Sequence, residues 1–255
     1  MKLFLTSRLL SAAGVTHGFS VRTGGVSTGP FSSLNLGGSV GDDEAAVREN
    51  HERLRQAAGV DGRIVTAHQV HGDRVVDGRL QEVFAPSAPQ QDGADAVLAL
   101  TEGAVGVRVA DCVPILIAAS GPVAAVHSGW RGTRLQIASR AVRALQRAAG
   151  ADPAGMLAAI GPCIGRCCYE VSPELAAAFR AQFGAEVADD PARVARPHLD
   201  LRACVEESLS QAGIPLDRIE QVAGCTSCDK SAFFSHRRDN GRTGRHLAFI
   251  EPRGS

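Results

Sequence analysis

The sequence has no excess of charge of either sign, no long apolar run and no clear secretion signal. In 255 residues, 27 Lys and Arg balance 27 Asp and Glu, which argues against a broad surface for nucleic acid or acidic membrane. The longest wholly apolar run, residues 113–119, is far shorter than the roughly 18 residues of a membrane span. Arg8 interrupts the apolar start too early for a signal peptide. We therefore expect a cytoplasmic protein that binds neither nucleic acid nor membrane.

Lysine is also scarce, since only Lys2 and Lys230 occur and arginine supplies almost all of the positive charge. Arginine grips phosphate bidentately, but we interpret this excess mainly as compositional bias. The seven cysteines are an odd number without a secretion signal, which favours reduced thiols, some of them as metal ligands. They are Cys112, Cys163, Cys167, Cys168, Cys204, Cys225 and Cys228.

One cysteine pair, Cys225 and Cys228, has the CxxC spacing of a zinc knuckle or a redox pair. The sequence has no second CxxC to complete a four-cysteine zinc site, and Cys163, Cys167 and Cys168 are irregularly spaced. We interpret these thiols as buried or incidental, and a second metal or a disulfide remains the alternative.

Helical and strand patterns alternate along the chain with no clear linker, which predicts a single α/β or α+β domain over residues 1–255. Apolar periodicity and capping residues predict helices at 42–58, 133–149, from 172 onward and at 201–212. Apolar runs predict strands at 63–67, 95–100, 104–109, 113–119, 123–127, 156–160, 219–223 and 246–250. The nearly continuous apolar runs in the middle of the chain are typical of strands buried on both faces.

Three short segments each place a histidine or cysteine at the end of a strand-like run: residues 68–72, 110–112 and 126–132. His71, Cys112 and His127 lie far apart in sequence, so only the tertiary fold could join them. Two imidazoles and one thiolate suit a catalytic zinc, which keeps a fourth position for water or substrate. The spacing alone leaves open that they are ordinary core residues.

A set of motifs over nearly the whole chain resembles the YfiH/laccase-domain family of purine nucleoside phosphorylases, formerly described as polyphenol oxidases. The motifs lie at residues 22–27 (RTGGVS), 33–37 (SLNLG), 69–72 (QVHG), 110–112 (ADC), 126–132 (VHSGWRG), 233–239 (FFSHRRD) and 243–245 (TGR). The resemblance implies mixed β-sheets packed together with helices outside. It also implies a zinc ion, or copper, held by His71, Cys112 and His127.

The activity implied by this resemblance is phosphorolysis of adenosine, inosine, guanosine and methylthioadenosine, together with deamination of adenosine. The substrates would be small purine nucleosides and phosphate. Nothing in the sequence indicates the oligomeric state or identifies a general acid among His68, Asp111 and Asp239.

Phosphate needs a cationic partner, and Arg131, at the entry to the 133–149 helix, is a candidate catalytic residue for that role. Arg22, Asn35, Arg237 and Arg238 in the motifs are candidate substrate-binding residues. Asp111 is predicted either to orient a ligating histidine or to cap a turn. Trp130 could stack on a purine or belong to the core.

Three alternative functions use the same residues. Cys112 could be a thiol nucleophile with His127 as its base, as in an amidase acting in peptidoglycan editing. A copper-dependent polyphenol oxidase is a second alternative, although the chain lacks the repeated His-x-His pairs of a multicopper cluster. A structural metal-binding module would need a closed four-ligand site, with Cys225 and Cys228 among its ligands.

Overall fold

Two β-sheets pack face to face, and helices cover their outer surfaces. The computed structural model describes residues 2–80 and 93–253. Within these residues the strands are β1 (Phe4–Leu5), β2 (His17–Ser20), β3 (Val75–Asp77), β4 (Ala96–Ala99), β5 (Val105–Val109), β6 (Val113–Ala118), β7 (Val123–Ser128), β8 (Leu157–Ile160), β9 (Ile219–Gln221) and β10 (His246–Ile250). The helices are α1 (Arg8–Ala12), α2 (Glu44–Ala58), α3 (Trp130–Arg134), α4 (Ile137–Ala149), α5 (Pro173–Phe183) and α6 (Leu201–Gln211). No helix in the described part of the chain has the length and apolarity to cross a membrane.

The first sheet has four antiparallel strands in the order β1-β2-β10-β5. The second has six strands in the order β3-β4-β7-β6-β8-β9, with antiparallel pairs at its centre and a parallel pair at each edge. This arrangement confirms the predicted mixed α/β domain with packed sheets and outer helices.

Strand β6 shows why the central runs are apolar at every position. Ile115 and Ile117 point into the core beneath α4, α5 and α6, whereas Leu116 and Ala118 pack in the layer between the two sheets. All six residues of β6 are buried. A third apolar cluster joins the outer face of the four-stranded sheet to α2.

Local capping signals place two of the predicted helices. Asp43 accepts a hydrogen bond from the Ala46 N–H at the start of α2, and Gly59 ends this helix in the left-handed conformation, with φ 65°. Ser172 caps α5 in the same way, and Pro173 occupies its first turn. The predictions for residues 42–58 and from residue 172 are therefore confirmed.

Two predicted elements differ in the structure. The single helix expected at 133–149 is two helices, α3 and α4, separated where Gln136 adopts a left-handed conformation with φ 63°. The strand expected at 63–67 is only an isolated bridge between Val65 and Val105. The short elements β1, α1, β2 and β3 were not predicted, because they have too few residues to show a period.

The six-stranded sheet brings two of the motif segments together where the central strands β6 and β7 meet. Cys112 directly precedes β6, and His127 lies near the end of β7. These strands are antiparallel, and Pro114 pairs with His127. The start of β6 and the end of β7 therefore meet at the same edge of the sheet, which is also where residue 95 enters β4.

Candidate metal centre

His71, Cys112 and His127 converge at this edge of the six-stranded sheet, with potential ligand atoms all within 4.8 Å of one another. The imidazole rings of His71 and His127 meet edge to face, 4.8 Å between centroids. His127 is buried, Cys112 is partly buried and His71 is exposed. Three ligands that face solvent on one side are typical of a metal site with a free coordination position.

Asp95 organises both histidines, and it is the residue that the sequence interpretation missed. Its fully buried carboxylate accepts a 2.7 Å hydrogen bond from Nδ1 of His127. It also accepts hydrogen bonds from the backbone N–H groups of Val70, His71 and Gly72, at 3.2, 3.0 and 2.7 Å. Because Nδ1 of His127 carries the donated proton, Nε2 is the nitrogen left to ligate a metal.

The backbone at two of these positions adopts an uncommon conformation. His71 has φ 61° and Asp111, the residue before Cys112, has φ 90°. Non-glycine residues with positive φ carry a strain of about 1–3 kcal/mol and cluster at functional sites. At His71 the three N–H groups donated to Asp95 hold this conformation in place.

Asp111 was predicted either to orient a ligating histidine or to cap a turn, and its side chain has a different role. It does not contact a ligating histidine, which is the role that Asp95 fills. Instead one carboxylate oxygen accepts from the Thr226 hydroxyl and the other accepts from the Arg237 N–H, both at 2.6 Å. Asp111, the residue before the candidate ligand Cys112, is thus joined to the loop that carries Arg237.

The charges in the cluster support metal binding. Burial by itself raises the pKa of the Cys112 thiol, but the facing imidazoles of His127 and His71 lower it to about 6. Burial by itself also raises the pKa of Asp95, and its hydrogen bond from His127 and those from backbone N–H groups lower it overall. The two imidazoles therefore favour the thiolate form of Cys112, which is the form that binds metals.

Gly129 provides the space in which the ligands meet. A Cβ atom at this position would lie 3.1 Å from Sγ of Cys112 and 3.2 Å from Cδ2 of His71. The next residue, Trp130, is 36% exposed and therefore belongs to the surface beside the cluster and not to the core. The guanidinium of Arg131 lies over this indole ring, 5.0 Å from its centroid, and is also exposed.

Two of the predicted substrate-binding residues hold loops in place. Asn35 is fully buried, and its side-chain amide donates to Gly37 and Asp42 and accepts from Gly37 and Arg245. Arg238 donates from Nε and both Nη atoms to Asp239 and to carbonyl groups of the same loop. Neither group is left to contact a substrate.

Arg22 and Arg237 are only partly used by the protein. Nε of Arg22 donates to the Ser32 carbonyl at 2.6 Å, and its guanidinium lies over the ring of Phe234. Nη1 of Arg237 donates to the Glu170 carbonyl at 2.9 Å, and its guanidinium lies over the ring of Tyr169. Arg237 remains a candidate for phosphate binding because its backbone is tied to Asp111 beside the cluster.

Arg245, in the TGR motif, is a second basic residue near the cluster that sequence reasoning did not select. Burial lowers its pKa, and the negative charges of Cys112 and Asp111 oppose that lowering, which places the guanidinium near both. Nη1 donates to the carbonyls of Thr243 and Gly244, while Nε and Nη2 donate to no residue that the structure describes. The free edge of this guanidinium is suited to an anion.

The contacts of the candidate general acids show which of them could donate a proton. Asp239 binds Arg238 with both oxygens and accepts a hydrogen bond from Thr243. Burial raises the pKa of Asp239, but these hydrogen bonds lower it overall, so it carries no proton to donate near neutral pH. His68 is partly buried and lies outside the cluster.

A separate cavity of about 850 Å³ lies between α2 and residues 62–66. Its lining includes Arg48, His51 and Arg108 but no member of the His71–Cys112–His127 cluster. This cavity is therefore separate from the candidate metal centre.

Comparison with known proteins identifies the family. Residues 16–253 match the family model described as multi-copper polyphenol oxidoreductase laccase. The purine nucleoside phosphorylase YlmD of Geobacillus stearothermophilus is 39% identical over 252 residues, covering 93% of this chain and 90% of that protein. The purine nucleoside phosphorylase SCO2081 of Streptomyces coelicolor is 39% identical over 245 residues, covering 93% and 95%.

Solved structures agree with the sequence comparison. The crystal structure of YlmD from Geobacillus stearothermophilus superposes with a TM-score of 0.86 at 34% identity, over 99% of this chain and 100% of that one. The Bacillus licheniformis protein YfiH superposes with a TM-score of 0.84 at 33% identity, over 94% of both chains. The resemblance found in the motifs is thereby confirmed, and the chain belongs to the laccase-like YfiH/YlmD family.

Proposed function

We propose that this chain is a purine nucleoside phosphorylase and that His71, Cys112 and His127 hold a zinc ion. The observation that carries the proposal is the convergence of these three side chains, oriented by Asp95, on the solvent-facing edge of the sheet. The names of the relatives, purine nucleoside phosphorylases at up to 39% identity, support the same activity. Purine nucleosides and inorganic phosphate are therefore the proposed substrates.

The donor set fits zinc. Zinc binds thiolate and imidazole ligands, and three protein ligands are typical of a catalytic site. Copper electron-transfer sites also use two histidines and a cysteine, usually with an axial methionine. Met156, the methionine within the described residues, lies in the core beneath the helices, which favours zinc. When bound, zinc would supply a Lewis-acidic centre at the open side of the cluster.

In phosphorolysis a phosphate oxygen forms a bond to C1′ of the ribose as the bond from C1′ to the purine nitrogen breaks. The electron pair of that bond leaves with the purine, which then takes up a proton, and the products are the free base and ribose 1-phosphate. The sugar passes through an oxocarbenium-like state, as in glycoside cleavage. The chain must therefore orient phosphate against C1′ and stabilise a departing purine.

We assign phosphate binding to Arg131, Arg237 and Arg245, which have guanidinium groups not saturated by the described residues. Trp130 is exposed directly after Gly129, which contacts the cluster. Its indole can stack on a planar purine, since aromatic surfaces favour such packing. Asp95 acts through His71 and His127 as a positioning residue and not on the substrate.

The test is turnover of adenosine, inosine, guanosine and methylthioadenosine with and without phosphate, with products separated by chromatography. We expect the free base and the sugar 1-phosphate only when phosphate is present: ribose 1-phosphate from the first three substrates and 5-methylthioribose 1-phosphate from methylthioadenosine. We also expect loss of turnover in Cys112→Ala. Arg131→Ala is expected to raise the KM for phosphate more than it lowers kcat. Base release that is independent of phosphate would contradict the proposal.

Adenosine deamination is proposed as a second activity on the family resemblance alone. It would yield inosine from adenosine without phosphate, so the same chromatograms decide it. Purified protein that gives adenine but no inosine would remove deamination from the assignment and leave phosphorolysis in place.

One alternative function has a specific observation behind it. Cys112 has a lowered pKa beside His127, which is also the arrangement of a thiol hydrolase, such as an amidase acting on peptidoglycan. Alkylation separates the two functions. Rapid labelling of Cys112 in protein with its full metal content, together with turnover of muropeptides, would favour the hydrolase. Protection of Cys112 by the metal would favour the phosphorylase.

The multicopper oxidase activity suggested by the family description has less support. Within the part of the chain that the structure describes, one potential metal-binding group contains histidine, and it has two of them. Metal analysis that found copper as isolated, together with oxygen-dependent oxidation of phenols, would restore that alternative.

A further inference from the structure

Four cysteines from two separate loops meet outside the candidate metal centre. Cys167 and Cys168 follow β8, and Cys225 and Cys228 follow β9. The four Sγ atoms all lie within 4.8 Å of one another. Cys167 Sγ is 3.7 Å from Cys225 Sγ and 3.5 Å from Cys228 Sγ, and Cys168 Sγ is 3.3 Å from Cys228 Sγ. None of these four thiols is fully buried, contrary to one interpretation of their spacing in sequence, whereas Cys163 is buried as expected.

The separations match a metal tetrahedron better than disulfides. With zinc–sulfur bonds of about 2.3 Å, the sulfur atoms of a tetrahedral site lie about 3.8 Å apart. A disulfide would bring two sulfur atoms to about 2.05 Å. Neutral thiols are weak hydrogen-bond partners for one another, so mutual S–H contacts do not explain why two loops place all four side chains at one point.

The backbone around the cluster is arranged for thiolates. The Gly165 N–H donates to Cys225 Sγ at 3.2 Å. A Cβ atom at position 165 would lie 3.2 Å from Cys167 Sγ and 3.4 Å from Cys225 Sγ, so glycine leaves the room that the sulfur atoms occupy. A parallel bridge between Cys163 and Cys225 aligns the two loops just before the cluster.

We propose that Cys167, Cys168, Cys225 and Cys228 form a second metal site, which binds a structural zinc ion. Four protein ligands fill the tetrahedron, so this site offers no position for substrate. It is distinct from the His71–Cys112–His127 cluster, and the proposal does not depend on the reaction that the chain catalyses.

The proposed zinc would hold the loop that borders the candidate metal centre. Thr226 lies between two of the ligands, and its hydroxyl donates to Asp111 at 2.6 Å. Nη1 of Arg238 donates to the carbonyls of Thr226 and Ser227, at 2.7 and 3.3 Å. A metal that joins residues 167–168 to residues 225–228 therefore fixes the segment that positions Asp111.

The experiment is zinc analysis of the full chain, purified without chelator and compared with single variants. We expect two zinc ions per chain in the unmodified protein, one in Cys228→Ser and one in Cys112→Ala. Cys204→Ser, which changes a buried thiol outside both groups, is the matched control and keeps two. After replacement of zinc by cobalt, Cys112→Ala is expected to retain strong sulfur-to-cobalt charge-transfer absorption of a four-thiolate site, and Cys228→Ser to lose it.

Cys167→Ser provides an independent variant, because Cys167 and Cys228 are both exposed and replacing either removes no core packing. If neither variant folds, the number of reactive thiols in the unmodified protein can be measured instead. The four thiols are expected to become reactive only after a strong chelator is added. One zinc per chain that is lost in Cys112→Ala would overturn the proposal, as would a mass showing that these cysteines are joined by disulfides.

Discussion

At the scale of single residues, Asp95 organises the candidate metal centre. It accepts from Nδ1 of His127 and from three successive N–H groups around His71. We predict that Asp95→Asn lowers zinc affinity at this cluster roughly 10–100-fold, the range typical of residues that orient ligating histidines. The physical reason is that an amide NH₂ cannot accept from donors that both carboxylate oxygens now serve.

Competition with a chromophoric chelator measures this loss. Asp77→Asn is the matched control, because Asp77 is also an aspartate with hydrogen bonds to its neighbours but pairs with Arg79 near the surface. If the two variants bound zinc equally well, Asp95 would have no role in orienting the ligands.

A second residue-scale prediction concerns Asp111. Its carboxylate binds the loop that carries Arg237 and does not orient a candidate metal ligand. In Asp111→Asn, one of the two donors, Thr226 or the Arg237 N–H, faces an amide NH₂. We expect the KM for phosphate to rise several-fold and the free energy of unfolding to fall by about 1–3 kcal/mol. Zinc content should stay at the unmodified level, in contrast with Asp95→Asn. Loss of zinc together with an unchanged KM would contradict this assignment.

At the scale of elements, the junction of β7 and α3 forms one wall of the metal centre. We predict that Gly129→Ala weakens zinc binding, since the added Cβ would press on Cys112 Sγ and His71 Cδ2 at 3.1 and 3.2 Å. Gly155→Ala is the control, because a Cβ there would meet nothing within 4 Å. Thermal melts report whether the fold is kept, and zinc competition reports the site. Equal zinc affinity in the two variants would show that the wall has room to move.

The elements that could be predicted from sequence are those with complete local signals. Helix α2 has its cap at Asp43 and its left-handed end at Gly59, and β6 has an unbroken apolar run. The break between α3 and α4 left no such signal, because the apolar stripe continues past Gln136 and no glycine or proline marks the change. The isolated bridge at Val65 shows a β pattern without enough partners to form a strand.

The candidate site shows the same division. The three candidate ligands could be proposed because each lies in a motif. Asp95 could not, because its partners are backbone N–H groups 23–25 residues away in sequence and the ring of His127. Arg238 and Asn35 were predicted to bind substrate because the sequence does not show which internal hydrogen-bond partners a side chain has. The CxxC spacing of Cys225 and Cys228 gave a second metal site only as an alternative, because this pair meets Cys167 and Cys168 only in the fold.

At the scale of the whole molecule, burial within the fold keeps several histidines neutral. Burial lowers the pKa of His17, that of His51 to about 4 and that of His246 to about 3. In the unfolded chain these histidines are protonated at about pH 6.5. In the folded protein they are protonated only at a lower pH. The contribution of these three histidines to stability is therefore fully present above pH 6.5 and is lost as the pH falls from 6.5 towards 4.

His51 is suited to a test of this pH dependence because a substitution can keep its hydrogen bond to the Leu36 carbonyl. Its Nε2 lies 3.1 Å from the Leu36 carbonyl, and glutamine can donate to the same oxygen without titrating. We predict that His51→Gln reduces the dependence of the unfolding free energy on pH by about 1.4 kcal/mol per unit between pH 6.5 and 4. Denaturant unfolding measures the slope, and His236→Gln, at an exposed position, is the control. Loss of zinc in acid would affect the wild type and both variants equally. Equal slopes in wild type and His51→Gln would therefore show that burial of this imidazole does not cause the loss of stability at low pH.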